Sequence, residues 1–165
     1  MRHLLRWVLF AIVLGTQSTG ILARIDLPDA QGAAYKVVQV CALVPLQDVK
    51  KIAPWPAHID PYAKAEEEAI GPQGSSCNYP TAHVQVMAFN QRMLDAARKA
   101  RTLEPFSGVG DEAWVSNNRN MFAEIYARVG PHLLTVQTDI GTGKTFDSEK
   151  PTLIALAKAF VAKLR

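Results

Sequence analysis

Apolar and polar positions repeat with two different periods along this chain. A period of two runs through 120–129, where Phe122, Glu124, Tyr126 and Arg128 fall on one side and Met121, Ala123, Ile125, Ala127 and Val129 on the other. The same period returns over 131–140 at Leu134, Val136 and Thr138. Each segment reads as a strand with one buried face. Gly130-Pro131 stands between them and predicts a hairpin. Alternation at Val84, Val86 and Ala88 predicts another strand within 77–90, with Pro80 at its edge. The segment 104–118 opens with turn residues and becomes a strand near Ala113–Ser116.

Helical spacing governs the rest. Leu46, Val49 and Ile52 lie on one face of 44–53, with Pro45 suited to a first turn. Residues 91–103 are strong helix formers without a breaker, and Leu94, Ala97 and Leu103 share a face with Met93 and Ala100. Over 149–165 the stripe Leu153, Leu156, Ala157, Phe160 and Leu164 predicts an amphipathic helix, with Lys158, Lys163 and Arg165 toward the C-terminal end that favours cations. Between these elements, 54–76 is rich in proline and glycine and reads as a long surface excursion. Asp60-Pro61 predicts the start of one short helix over 61–69, and Gly71-Pro72 its stop. Residues 35–40 fit a strand or an extended arm, and 24–34 a flexible lead-in or a loose first strand. Consecutive strands joined by short turns imply an antiparallel sheet, and its apolar side needs helices. The expected fold is α+β, an antiparallel β-sheet flanked by helices in a single domain.

The N-terminus changes the compartment. Arg2 and Arg6 precede the short apolar run "WVLFAIVLG", and "TQSTGILA" follows. That layout predicts a signal peptide over 1–23, cleaved after Gly20 or Ala23, with an uncleaved anchor as the alternative. The run is roughly half of the ~20 apolar residues that a membrane span needs. The flexible lead-in then covers 24–37 and the exported domain 38–165. No cysteine closes the apolar run, so lipid attachment is not expected. Removing 1–23 leaves 16 basic and 15 acidic residues. Such a near-neutral surface gives nucleic acid no footprint. The two cysteines, Cys41 and Cys77, are expected to form one structural disulfide outside the cytoplasm. By chain entropy it is worth about 4 kcal/mol.

Candidate chemistry is sparse. "DIGTGKT" (139–145) looks like the end of a phosphate-binding loop, but Thr138 stands where the first glycine belongs. Asp147 and Glu149 also bring negative charge to the helix start, so the stretch reads as a polar turn. His58, His83 and His132 lack metal-ligand spacing, and neither a cofactor nor a metal is expected. Ser75, Ser76, Ser107 and Ser116 lie outside any nucleophile-elbow motif. "EEE" (66–68) reads as a solvated helix face. Arg92, Arg98, Lys99 and Arg101 read the same way, with an anionic partner or a lipid headgroup as the alternative. Trp55, Tyr79 and Trp114 are aromatics suited to packing or to a binding face. Gly108, Gly110 and Asp111 fit a tight turn that a ligand could also touch.

Three segments in order, "CALVPLQDVKKI", "SSCNY" and "FSGVGDEAW", followed by alternating strands and the "LIALAKAFVAKL" helix, resemble a family of small exported bacterial domains of unknown function, best known as actinobacterial lipoproteins. The resemblance covers roughly residues 38–165. It implies a Cys41–Cys77 disulfide and a PsbP-like sandwich, and it brings no catalytic residue with it. Two positions depart from the pattern: the lipid-attachment cysteine is missing, and Pro45 stands where a threonine cap is common. The functional expectation is a non-enzymatic exported domain, periplasmic or extracellular, that binds a protein, an envelope component or a small ligand. The possible ligand-contacting residues are Trp55, Tyr79, Gly108, Gly110, Asp111 and Trp114. The alternative is an envelope hydrolase with a site assembled from His83, Asp111 and His132.

Overall fold

Seven antiparallel strands form one sheet in a computed structural model that describes residues 35–100, 102–118, 121–141 and 143–165, the Asn118 side chain excepted. The expected signal segment 1–23 and most of the lead-in lie outside the described residues. The strands are β1 (Glu66–Ala69), β2 (Gly74–Tyr79), β3 (Ala82–Ala88), β4 (Glu104–Phe106), β5 (Glu112–Asn118), β6 (Phe122–Val129) and β7 (His132–Asp139). The helices are α1 (Val40–Leu43), α2 (Leu46–Ile52), α3 (Gln91–Ala100) and α4 (Phe146–Leu164), with short 3-10 turns at Ala57–Tyr62 and Gly71–Gln73. The sheet order is β1-β2-β3-β7-β6-β5-β4. Two meanders therefore meet where β3 pairs with β7, and the connection through α3 carries the chain from one to the far edge of the other. All of this belongs to one compact unit, Ala33–Arg165, so the α+β architecture expected from the pattern is present.

Period-two alternation explains why the sheet has its core on one side. Register places Val84 beside Val136 and Val136 beside Ile125, with Ile125 next to Val115. Those four side chains are buried, and α4 lays Leu153, Leu156, Ala157 and Phe160 into the same core cluster. Trp55, Val40 and Val49 close that core from the side of α1 and α2. The opposite face carries a smaller cluster, in which Leu94 of α3 packs against Trp114 and Tyr126. The β6–β7 hairpin turns at Gly130-Pro131. Gly130 has φ +55°, a left-handed value open to glycine, while Pro131 fixes the next position.

Four local expectations give way. The 61–69 segment is no helix: Pro61 sits in a 3-10 turn, and the three glutamates form the edge strand β1. The 77–90 segment is a hairpin rather than one strand, because the chain reverses at Pro80-Thr81 and Tyr79 pairs with Ala82. Val40, placed in a strand or arm, begins α1. The last helix starts three residues before 149, because Thr145 forms a capping box with Ser148. Pro151, the sixth residue of α4, has no N–H to give the Asp147 carbonyl, so one interior helix bond is missing there. Both edges carry protection against further pairing: charge on β1 and Pro105 on β4.

Candidate functional site

Glu67 is the residue that organises the stapled end. Gln39 offers α1 no side-chain cap. The Val40 and Cys41 amides instead donate to Glu67, at 2.7 Å to Oε1 and 2.6 Å to Oε2. The Ser75 hydroxyl lies 2.6 Å from Glu67 Oε1 and 2.5 Å from the Val38 carbonyl. Glu67 also faces Cys77 in the β1–β2 register. Cys41 and Cys77 are joined in a disulfide, with their Cα atoms 5.1 Å apart. The bond ties α1 to β2 beside this carboxylate. Because the cysteines are consumed, their closeness to Glu67 is a covalent staple rather than a metal site.

The six residues singled out as possible ligand contacts are built into packing or turns. Trp55 is buried, and its Nε1 donates to Asp60 Oδ1 at 2.8 Å. Tyr79 is buried, donates its hydroxyl to the Val44 carbonyl at 2.9 Å, and meets Phe160 edge-on. Burial, with Glu67 adding to it, pushes the Tyr79 phenol up to about 12. Trp114 is buried under α3, with the Arg98 guanidinium 4.6 Å from its ring centroid. Gly108 and Gly110 both have positive φ. Asp111 accepts from the Gly130 amide at 2.7 Å and so joins two turns.

His83 is not brought together with His132. His83 bonds to Asn78 at 2.6 Å, and His132 Nδ1 to the Tyr35 hydroxyl at 2.8 Å. His83 pairs with Gln137 and His132 with Ala88, so five positions separate the two imidazoles along the β3–β7 ladder. They also project to opposite faces, since odd and even positions alternate. Burial holds the His132 imidazole below its ordinary pKa. Asp111 is engaged by Gly130 and by Arg165, 3.4 Å from its Oδ1.

A different set converges where the C-terminal end of α2, the β2–β3 turn, the end of β7 and the start of α4 meet. There Ala53, Thr81, Thr138, Lys144, Glu149 and Thr152 help to line a recess of about 230 Å³. It is more enclosed than the open groove of about 600 Å³ beside the C-terminal end of α3. Glu149 lies in the first turn of α4, with only 10% of its side chain exposed, and its Oε1 is 2.8 Å from Lys144 Nζ. Thr81 donates to the Ala53 carbonyl at 3.1 Å and closes one wall. Three buried side-chain atoms lack a hydrogen-bond partner among the described residues: Ser116 Oγ, Arg128 Nε and Thr138 Oγ1. Of these, Thr138 lines the recess. Leaving such a group unpaired costs roughly 1–3 kcal/mol, which a ligand or water would recover.

Sequence reasoning drew attention to this stretch for a different reason. "DIGTGKT" is the connection from β7 to α4, and its resemblance to a phosphate loop ends there. The Thr145–Ser148 box satisfies the Ser148 amide, and Lys144 is turned onto Glu149. The polar lining becomes visible only when residues 81 and 152 are folded against 138–149. No family model matches the chain, and neither the curated proteins nor the solved structures yield a significant match.

Proposed function

We propose that the chain is an exported, non-catalytic binding domain that holds a small polar ligand in the recess between α2, β7 and α4. The observation that carries this reading is Thr138: a hydroxyl buried in the core layer, without a partner, at a recess that also contains a largely buried carboxylate. Proteins rarely keep a buried polar atom unsatisfied without a use for it. The disulfide supports the exported part of the reading, because such bonds persist in oxidising compartments. No helix among the described residues is long and apolar enough to cross a membrane. The separate local partners of His83, Asp111 and His132 favour holding over hydrolysis, since acid–base catalysis needs such groups within hydrogen-bond reach of a common substrate.

Thr138→Val tests the reading. Removing an unpaired hydroxyl without changing shape should leave the free protein as stable or more stable, by up to about 1 kcal/mol. The same change should abolish the thermal stabilisation given by small polar molecules that bind the parent protein. A destabilised Thr138→Val protein, or one that keeps its ligand response, contradicts the proposal.

A further inference from the structure

We infer that the ligand accepted by this recess carries a primary ammonium group beside hydroxyls, as in an amino sugar or amino alcohol, and that Lys144 is the built-in plug that such a ligand displaces. The inference rests on the recess being the binding site and adds its chemical class. A carboxylate as buried as that of Glu149 needs a cation next to it. Lys144 supplies one, but its side chain is 52% exposed and reaches in from a turn in which Gly143 has φ +81°. A half-exposed lysine on a glycine turn forms a weak pair, because solvent screens it and ordering its long side chain costs entropy. A ligand ammonium entering the recess can replace it without leaving Glu149 uncompensated.

The rest of the lining fits the same ligand. Thr81, Thr138 and Thr152 line the walls, and the Thr81 hydroxyl already donates to the Ala53 carbonyl. Thr138 Oγ1 lacks a partner and is sealed behind the wall, so a ligand hydroxyl meets it only when the lining yields. Asp139, at the rim, adds a second negative charge, so carboxylates outnumber Lys144. That balance disfavours a phosphate despite the neighbouring start of α4. The volume of about 230 Å³ falls below the usual ~300–1,000 Å³ of drug-sized pockets and suits a single small unit.

The test is an NMR titration of the oxidised full chain with D-glucosamine, D-glucose and inorganic phosphate, repeated on Lys144→Ala and Glu149→Gln. Glucosamine should shift the signals of Thr81, Thr138 and Thr152, whereas glucose and phosphate should not. Lys144→Ala should tighten glucosamine binding by about fivefold, because the internal competitor is gone. Glu149→Gln should abolish it. Should Glu149→Gln fail to fold, the sign of the Lys144→Ala effect still decides. Glucose binding as well as glucosamine overturns the ammonium requirement and leaves the recess reading standing. Phosphate binding that Lys144→Ala removes overturns the plug and makes Lys144 an anion ligand. Silence of the recess toward all three probes overturns this inference, and the proposed site falls with it if Thr138→Val also leaves the ligand response unchanged.

Discussion

Gly108 and Gly110 show how two similar residues in one turn carry different loads. Both are left-handed, at φ +87° and +64°. A Cβ at Gly108 would meet nothing within 4 Å, whereas one at Gly110 would fall 2.3 Å from the Arg128 carbonyl oxygen. Gly108→Ala should cost only the backbone penalty, about 1–2 kcal/mol. Gly110→Ala should cost clearly more, since the β5–β6 ladder must also shift; equal urea midpoints for the two variants would refute this. Asp60 gives a pH signature at the same scale. Its hydrogen bond to Lys50 holds the carboxyl below its usual 3.8, with Trp55 adding to the effect and burial opposing it. A depressed folded pKa means that the tether is complete above the unfolded value and lost as pH falls through the folded one. Trp55 fluorescence should therefore be constant from about pH 7 to about pH 5 and change only below the ordinary Asp range. A transition above that range contradicts the assignment.

At the scale of elements, Glu67 lets an edge strand cap a helix. Glu67→Ala removes the acceptor of the Cys41 amide and leaves the Val40 amide only the Ser75 hydroxyl, 3.4 Å away. The loss should be about 1–2 kcal/mol by chemical denaturation, the usual cost of an N-cap. An unchanged midpoint would show that water replaces the carboxylate. This contact also explains what the sequence conceals. β6, β7 and α4 were legible because each must bury one face, which imprints a period of two or 3.6 on the residues. β1 carries no such imprint: it is a four-residue exposed edge, and its central Glu67 answers to α1 rather than to its neighbours in sequence. The β2–β3 reversal was hidden for a related reason, since Pro80-Thr81 lacks the glycine that marks the hairpin at 130–131. The recess was least legible of all. Thr81, Thr138, Glu149 and Thr152 become one lining only after the β2–β3 turn, the end of β7 and the start of α4 are folded together.

Across the whole molecule, one covalent bond secures the fold, and the proposed binding site is a single polar recess. The disulfide closes the segment that contains α2 and β1 and fixes α1 beside β2. Replacing both cysteines by serine should lower the unfolding free energy by about 4 kcal/mol, mostly through the freed unfolded chain. The recess lies at the other junction of helices and sheet, where Trp55 and Ala53 pack α2 into the same core as α4. The most direct measurement of the central claim is residue-by-residue NMR mapping of the oxidised protein against a set of small polar fragments. The account predicts that the binders move Thr81, Thr138, Lys144 and Thr152 together. Binding confined to the α3 groove or to the open face around His83, with those four signals unmoved, would contradict it.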